Sequence, residues 1–338
     1  MPAAFRYILL LILILAVSTG QSTSAQSIDG LLDRAEELNP LSSLLISQNG
    51  ELLGARYYRG MKAGKTINVK SVSKSLLSPL VGIAIRDGLL ENTQQKLADL
   101  LPDYADEIAV SHRDEITLHH VLSMTTGLEG TSFQNYGAWV TSKNWVKFAL
   151  EQPVACDPAA CMTYSTGNSH LISVILSKAS GKDLRSYARD VLFRPLGIHL
   201  PSWDKDPQGY YLGGNNIGLR PLDMLRFGEL YLNKGMYKGK QLVPASWIEK
   251  SWKTYATSPW NGHHHGYYWW SRNFAGYQTH FAWGYGGQYI FIVPKLELVV
   301  VFTSSLRNRP RGVDHNHVIQ DFLVNDIIPT IEKMGASN

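Results

Sequence analysis

Charge is scarce in this sequence and nearly balanced. Its 338 residues include 32 Lys+Arg and 28 Asp+Glu, which leaves a net charge of +4. A protein that binds nucleic acid needs a concentrated positive surface, so this balance argues against a nucleic-acid partner. Internal repeats and low-complexity tracts are also absent. Because 44% of the residues are hydrophobic, the chain can bury a large core, which excludes the disordered and collagen-like classes.

Long apolar runs are absent after the first 25 residues. The run from Ile8 to Val17 is shorter than the roughly 18 to 20 residues that span a bilayer, and Thr23-Ser24-Ala25 after it suits signal cleavage. We therefore expect residues 1–25 to be an export signal. Residues 26–338 would then be a periplasmic or secreted protein without a stable membrane anchor. An uncleaved anchor is the alternative.

Cysteine is nearly absent. Cys156 and Cys161 are the two in the chain, and they lie close together in Cys-Asp-Pro-Ala-Ala-Cys. In an exported protein such a pair favours a local disulfide. Half of a metal site is the rival interpretation, but a second cysteine pair or a nearby ligand histidine is missing. Two free thiols are the remaining possibility. We expect neither a metal nor another cofactor.

The two ends of the chain predict one antiparallel sheet. Asn49-Gly50 is typical of a tight hairpin turn between two strand-like runs, and a second pair of runs flanks Pro294-Lys295 near the end. Helical patterns precede the first pair and follow the second. The predicted helices are 27–38 and 318–332, and the predicted strands are 41–47, 51–58, 289–293 and 296–304.

The middle of the chain, residues 97–220, has mostly helical patterns and no linker. We therefore expect one composite α/β (α+β) domain. Its α/β part would comprise residues 26–96 and 221–338, with an antiparallel sheet flanked by helices. The helical part would be an insertion, and functional residues should lie where it meets the sheet.

An S-x-x-K pattern at Ser71 and Lys74 opens an apolar helical run that ends near Gly88. Positions three apart share a helix face, so a desolvated Lys74 can accept the proton of Ser71. The helix N-terminus would stabilise an oxyanion at Ser71. A second match at Ser202 and Lys205 lies in a loop-like composition without an apolar helix, so nothing there would desolvate the lysine.

Tyr164-Ser165-Thr166-Gly167-Asn168 precedes a helical run. A loop tyrosine held beside a lysine can act as base or proton relay for a serine. The ordinary alternative is a packing tyrosine with one satisfied hydroxyl.

Closely spaced glycines in Gly284-Tyr285-Gly286-Gly287-Gln288 lead into the strand at 289–293. They permit a ligand to approach the backbone, or they form a bulge. With a substrate carbonyl along this strand, the N–H groups of Gln288 and Ser71 would form a two-donor oxyanion hole.

Other patterns predict no chemistry. A G-x-S-x-G elbow is absent, which disfavours an α/β-hydrolase. The run His263-His264-His265 lacks metal-ligand spacing and is expected to be an exposed loop, and His119 and His120 are expected to pack or face solvent. The aromatic run Tyr267 to Trp270, with Trp260 and Trp283, predicts both core strand and an aromatic wall for a substrate.

Taken in order, these motifs resemble the serine β-lactamase-like hydrolases, over nearly the whole chain after the leader. The similarity is to the class C branch, and within it to aminohexanoate-oligomer hydrolases and related esterases. The stretches that carry it are 71–88, 118–128, 164–168, 213–235 and 284–304. The resemblance implies the β-lactamase/transpeptidase-like fold.

By position, the resemblance implies Ser71 as acylated nucleophile, Lys74 as its partner, Tyr164 as general base or relay, and the Gln288 N–H as oxyanion donor. The residues expected to contact substrate are Thr166, Asn168, Tyr285, Gly286 and Gly287.

Two departures from the β-lactamase pattern bear on the substrate. Thr166 stands where those enzymes have the asparagine of Y-x-N, and Tyr285-Gly286-Gly287 stands where they have K-T-G. The cation that would hold a β-lactam carboxylate is therefore missing. We expect an exported serine hydrolase that cleaves a small ester, amide or short peptide-like substrate through an acyl-enzyme. The alternatives are a β-lactamase or D-Ala-D-Ala carboxypeptidase, and a non-catalytic ligand-binding descendant.

Overall fold

The computed structural model describes residues 27–110, 113–200, 202–307, 312 and 314–336. The predicted export signal, residues 1–25, lies outside the described residues. None of the described helices has the length and apolar character needed to cross a bilayer.

One large antiparallel sheet forms the centre of the fold. The strands are β1 (Leu41–Gln48), β2 (Glu51–Tyr57), β3 (Ile67–Asn68), β4 (Gly218–Leu219), β5 (Met236–Tyr237), β6 (Lys240–Gln241), β7 (Ala256–Thr257), β8 (His264–His265), β9 (Trp270–Phe274), β10 (Tyr277–Gly284), β11 (Gln288–Val293) and β12 (Leu298–Ser304). The eight-stranded sheet has the order β2-β1-β12-β11-β10-β9-β8-β7, while β3 pairs with β4 and β5 with β6.

Thirteen α-helices surround the sheet or fill the middle of the described chain. They are α1 (Ile28–Ala35), α2 (Val72–Arg86), α3 (Leu97–Leu100), α4 (Ala105–Ile108), α5 (Leu118–Ser123), α6 (Tyr136–Thr141), α7 (Trp145–Leu150), α8 (Thr166–Ser180), α9 (Leu184–Ala188), α10 (Pro221–Leu232), α11 (Ala245–Trp252), α12 (His315–Phe322) and α13 (Ile328–Ala336).

The two chain ends meet in the sheet, as the sequence predicts. Strand β1 pairs with β12 in a register that sets Leu44 opposite Phe302. The hairpin that joins β1 to β2 turns at Asn49-Gly50, where both residues have the positive φ angles that such turns require. The prediction of one antiparallel sheet built from both termini is therefore confirmed.

The C-terminal helix begins earlier than predicted and is interrupted. The Asp314 side chain caps α12 by accepting from the Asn316 N–H, so the helix starts at His315, upstream of the apolar pattern. A π-helical turn at Leu323–Ile327 then joins α12 to α13. The sequence predicts one continuous helix because periodicity alone does not reveal an extra residue in one turn.

Helices cover both faces of the sheet. On one face, a Cβ added to Gly228 of α10 would touch Val299 and Ile290, so this helix lies directly on β12 and β11. On the opposite face, the ring of Phe302 contacts that of Phe322 at the end of α12. Alternation along β12 explains why Val299 and Phe302 point to different layers.

Helix α2 joins the sheet to the helical segments. Every residue from Val72 to Ala84 is buried, including Pro79 within the helix, and α2 packs against β10, β11 and α8. Between residues 97 and 220 helices are the main regular secondary structure of the described chain. We propose that this segment is the inserted part, with 26–96 and 221–338 forming the α/β part. Residues at the start of α2 lie where the two parts meet.

Candidate active site

Ser71 lies at the N-terminus of α2, half-buried at the wall of a cavity. The backbone turns sharply before it, since Lys70 has a φ of 52° and its N–H donates to Asn68 Oδ1 at 2.9 Å. A helix N-terminus carries partial positive charge from its unpaired N–H groups. Negative charge that develops beside Ser71 is therefore stabilised.

Lys74 is buried one turn into the same helix, with 2% of its surface exposed. Its Nζ lies 3.3 Å from Ser71 Oγ, 3.1 Å from Thr166 Oγ1 and 2.8 Å from the Gly214 carbonyl oxygen. All three partners are uncharged. Burial lowers the pKa of Lys74 from 10.5 to about 7, because the charged amine loses its hydration without gaining a carboxylate.

Gly214 supplies its carbonyl at this point because it has no side chain. Its φ is +82°, and a Cβ there would lie 2.3 Å from Ser169 Oγ and 2.6 Å from Lys74 Cγ. A larger residue would push the loop away from the lysine. Residues 213–235 carry part of the family resemblance in the sequence, but no pattern there indicates a role for Gly214.

Tyr164 closes the other side of the lysine. Its ring centroid lies 4.9 Å from Lys74 Nζ, and its hydroxyl interacts with the Ser71 side chain. Burial raises the pKa of Tyr164 to about 12, although the interaction with Ser71 acts in the opposite direction. The structure thus brings together Ser71, Lys74 and Tyr164. The pKa of the lysine lies near 7, and the phenol of the tyrosine is protonated at neutral pH.

Thr166 and Asn168 lie in the first turn of α8 and are buried away from the cavity. Thr166 Oγ1 contacts Lys74 and also Ser132 Oγ at 2.9 Å. Asn168 donates to Thr126 Oγ1 at 2.8 Å in the interior. The prediction that these two side chains contact substrate is corrected: one holds the lysine, and the other fastens the helix.

The glycine segment is a turn between β10 and β11 rather than the start of a strand. Gly284 ends β10 so close to α2 that a Cβ there would lie 2.3 Å from the Val69 carbonyl oxygen. Tyr285 and Gly286 follow and line the cavity beside Ser71.

Gln288 and Gly287 do not line that cavity. Gln288 pairs with Gly284, and its amide bonds the backbone of Ser304 at 2.8 Å. A Cβ on Gly287 would meet Ser304 and His315 instead. Gly287 is expected to contact substrate and the Gln288 N–H to stabilise the oxyanion, but the hairpin turn carries both residues behind its tip, so neither lines the cavity beside Ser71.

The cavity has a volume of about 460 Å³, and six of its ten lining residues are aromatic. It is lined by Ser71, Phe133, Tyr164, Trp260, Asn261, Trp270, Trp283, Tyr285, Gly286 and Asn316. None of these ten side chains is charged. The predicted aromatic wall is formed by Trp260, Trp270 and Trp283. Tyr267, Tyr268 and Trp269 are instead buried in the core.

The sequence gives no signal for Phe133, Asn261 and Asn316. Phe133 follows a loop without a motif, and in the structure it has an exposed ring and a positive φ of 54°. Asn316 accepts from Trp283 Nε1 at 3.2 Å and from the Tyr289 hydroxyl at 3.3 Å, and so fixes one wall of the cavity. A single polar residue in a helix gives no signal of such a contact.

The remaining patterns lie outside the site. Ser202 and Lys205 belong to a segment with two isolated β-bridges and no helix, as expected. Of the three consecutive histidines, His263 and His265 are buried, which corrects the expectation of an exposed loop. Alternation around β8 turns both inward. His119 packs, with Nδ1 2.7 Å from the Tyr267 hydroxyl. Within the described ranges, no group of three or more candidate ligands is placed to hold a metal.

Cys156 and Cys161 form a disulfide, as predicted from their spacing and the expected export. The bond closes the loop just before Tyr164. A Cβ on Gly127 would lie 2.1 Å from the Cys156 carbonyl oxygen, so this loop packs tightly against the segment after α5.

A serine and a buried lysine at the head of a central helix, beside an antiparallel sheet with a helical insertion, define the class of β-lactamase/transpeptidase-like hydrolases. The Beta-lactamase family model matches residues 39–323. The chain belongs to that family. No curated protein matches the sequence significantly.

Several solved structures have the same fold. A candidate 6-aminohexanoate-dimer hydrolase from Bacillus anthracis is 20% identical, with a TM-score of 0.73 over 91% of this chain and 82% of that one. EstCE1, a hydrolase with promiscuous acyltransferase activity, is 15% identical, with a TM-score of 0.68 over 89% and 98%. A D-stereospecific amidohydrolase from Streptomyces is 13% identical, with a TM-score of 0.66 over 83% and 93%. At these identities the likeness establishes the fold alone.

Proposed function

We propose that the protein is a serine hydrolase that cleaves ester or amide bonds through an acyl-enzyme on Ser71. One observation carries the proposal. Lys74 is buried among uncharged partners 3.3 Å from Ser71 Oγ, and its pKa is lowered to about 7. A lysine that loses its proton near neutral pH is a base, and a serine one helical turn away is the group it can activate.

The contacts of Lys74 define where its lone pair points. A neutral amine has two N–H bonds, and the Gly214 carbonyl, which can only accept, takes one of them. Thr166 Oγ1 takes the other, while its own hydrogen points to Ser132 Oγ. The lone pair is left facing Ser71. Lys74 therefore takes the proton of Ser71 as the serine attacks the carbonyl.

Tyr164 completes the proton path. With its pKa raised to about 12, the phenol is protonated at neutral pH and interacts with Ser71. It delivers a proton to the leaving alcohol or amine and recovers one from Lys74. In the second step water attacks the acyl-enzyme, Lys74 takes a proton from that water and passes it to Ser71 Oγ, and the acid is released from the regenerated serine. One ester or amide and one water give one acid and one alcohol or amine.

The oxyanion lies between the Ser71 N–H and the Tyr285 N–H in this mechanism. Gly284 touches the backbone just before Ser71, and Tyr285, the next residue, lines the cavity. We therefore propose Tyr285 in place of Gln288 as the second donor. Losing one such donor typically costs about 10²–10³-fold in rate.

The cavity favours an ester or amide over a β-lactam or a D-Ala-D-Ala peptide. Those substrates present a carboxylate, and none of the ten lining side chains is a cation. The similar structures include a 6-aminohexanoate-dimer hydrolase and an amidohydrolase but also a β-lactamase and a penicillin-binding protein, so the choice of substrate rests on the cavity. The non-catalytic alternative would leave the lowered pKa of Lys74 without a use.

We also propose export. The apolar run and small-residue end of residues 1–25 support it, and so does the Cys156–Cys161 disulfide, because such bonds persist in oxidising compartments.

A substrate panel tests the proposed function. We expect nitrophenyl esters to be hydrolysed with a kcat/KM at least about tenfold above that for a chromogenic cephalosporin or a D-Ala-D-Ala peptide, because only the last two bring a carboxylate to an uncharged cavity. An aminohexanoate dimer, with both charges, should also be a poor substrate. Faster turnover of the cephalosporin would favour the β-lactamase alternative. An acylation burst without steady-state turnover would favour the non-catalytic descendant.

A further inference from the structure

The most exposed large hydrophobic side chains of the described residues gather at one place. Phe133 is 75% exposed, Tyr285 65% and Trp260 61%, and the next, Leu52, is 51% exposed. The first three all line the cavity beside Ser71. Exposed aromatic rings that cluster at a cavity mouth mark a binding surface, whereas scattered ones do not.

The rings form a continuous wall from the mouth to the serine. Phe133 contacts Trp260, with ring centroids 6.5 Å apart, and Tyr164, at 5.9 Å. Tyr164 stacks on Trp270 at 6.0 Å, and Trp270 meets Trp283 at 5.9 Å. A group attached to a carbonyl at Ser71 therefore meets apolar surface along its whole way out.

Charge is kept away from this wall. Lys70, the residue before Ser71, turns its Nζ to Asn216 Oδ1 at 3.4 Å and does not line the cavity. Lys74 is covered, and the positive ends of α2 and α8 point towards the serine, which disfavours a cationic substrate. A carboxylate would find no side-chain partner among the lining residues.

We propose that the substrates are uncharged esters or amides that carry a bulky apolar or aromatic group next to the scissile bond. This inference rests on the proposed serine hydrolysis and narrows its substrate class. The deep rings hold the group nearest the carbonyl, and the rings of Phe133, Trp260 and Tyr285 cover the part that extends from the cavity.

Two ester series test this proposal: one lengthens the acyl chain from acetate to octanoate, and the other enlarges the alcohol from ethyl to naphthylethyl, which keeps an aliphatic alcohol as the leaving group. We expect kcat/KM to rise about tenfold or more with size in at least one series. A butyrate ester should be preferred to its hemisuccinate counterpart by a similar factor, since the two differ mainly in charge. Trp260→Ala should reduce the preference for large esters at least about threefold. Leu52→Ala, an exposed hydrophobic elsewhere, should leave it unchanged.

Equal rates for butyrate and hemisuccinate, or a size preference unaffected by Trp260→Ala, would overturn the substrate class while hydrolysis itself stood. If no ester is hydrolysed and a fluorophosphonate fails to label the folded protein, the proposed function has failed instead.

A second observation concerns a histidine and an aspartate beneath the site. His170 on α8 is fully buried, and its Nε2 lies 2.8 Å from Asp206 Oδ2. Its other ring nitrogen, Nδ1, accepts the Gly213 N–H at 3.1 Å. A backbone N–H can only donate, so Nδ1 carries no hydrogen, and Nε2 carries the one given to Asp206.

This pair is connected to the lysine by two residues of backbone. The Gly213 N–H donates to His170 Nδ1, and the next carbonyl, that of Gly214, accepts from Lys74 Nζ at 2.8 Å. Asp206 is itself fixed, because its Oδ1 accepts the Tyr210 N–H at 2.8 Å. The geometry points to His170 and Asp206 as positioning residues that hold the Gly213–Gly214 loop where it orients Lys74.

Two isosteric replacements of His170 separate positioning from general stability. His170→Asn places an oxygen where Nδ1 was and keeps an acceptor for Gly213, but it leaves Asp206 without its donor. His170→Gln places an amide where Nε2 was and keeps Asp206 paired, but it offers Gly213 nothing. Fluorophosphonate titration counts active sites, so the rate per labelled site is independent of how much protein folds.

We expect His170→Asn to keep a rate per site within about threefold of the parent protein, despite a lower thermal stability from the unpaired carboxylate. The rate per site of His170→Gln should fall about tenfold or more, in kcat rather than KM, because the displaced Gly213–Gly214 loop orients Lys74 and not substrate. Equal rates for the two variants, or a slower His170→Asn, would show that His170 does not position Lys74.

Discussion

Ser71→Ala is expected to lower kcat/KM for the best ester substrate by about 10⁴-fold or more. In the proposed mechanism Ser71 Oγ is the atom that bonds to the acyl group. No neighbouring group can replace it, because Lys74 is buried behind it and Tyr164 is protonated, with a pKa raised to about 12. Alanine leaves the Ser71 N–H and the helix end in place, so substrate binding should change little. Steady-state hydrolysis with the enzyme concentration fixed by absorbance measures the effect.

The chain supplies its own control for this substitution. Ser202 begins a second S-x-x-K pattern with Lys205, in an exposed segment without a helix. Ser202→Ala should leave kcat/KM within about twofold of the parent, as surface substitutions usually do. A comparable loss in both variants, or full activity in Ser71→Ala, would show that the S-x-x-K pattern at 71 does not carry the reaction.

Lys74→Met is expected to cost about 10²–10⁴-fold in kcat and to remove the acid limb of the pH profile. In the parent protein the pKa of Lys74 is lowered to about 7 by burial, so the free base is the minor form below pH 7 and the major form above it. The rate should therefore rise about tenfold per pH unit below pH 7 and level off above it. Methionine fills the buried volume without a titrating amine.

Lys205→Met is the control for the lysine, because Lys205 lies exposed in the second S-x-x-K pattern. It should retain both the rate and the pH midpoint. A Lys74→Met variant that keeps the midpoint near pH 7 would mean that another group titrates there. A parent profile that is flat from pH 5 to pH 9 would contradict the lysine base altogether.

Local signals predicted the framework of the fold well. Asn49-Gly50 fixes a hairpin through its backbone preferences alone, and hydrophobic runs at both ends identify strands that can pair without crossover helices. The C-terminal helix shows where this reasoning stops. The π-helical turn at Leu323–Ile327 interrupts that helix, and the hydrophobic pattern of the sequence does not show the interruption.

The grouping of Ser71, Lys74 and Tyr164 was predicted from local patterns, and their catalytic roles remain the proposal. Ser71 and Lys74 share one helix face, and the apolar pattern of that helix indicates the burial that lowers the pKa of the lysine. The partners of Lys74 were not predictable. Thr166 turns inward because it lies in the first turn of α8, and Gly214 reaches the lysine from a loop far along the chain.

Part of the cavity wall escaped prediction for the same reason. Phe133, Asn261 and Asn316 come from three separate segments that only the folded chain brings together. The assignment of Gln288 failed on a smaller scale. Glycines before a strand indicate a close backbone approach, but they do not indicate which residue of the turn points to the ligand.

The site of covalent labelling tests the central claim most directly. The folded protein is treated with a fluorophosphonate at pH 8, digested, and mapped by peptide mass spectrometry. The account predicts one adduct, on Ser71, that forms at a rate increasing with pH through about 7 because Lys74 must be neutral. An adduct on another residue, or an ester-hydrolysing protein that takes up no label, would contradict it.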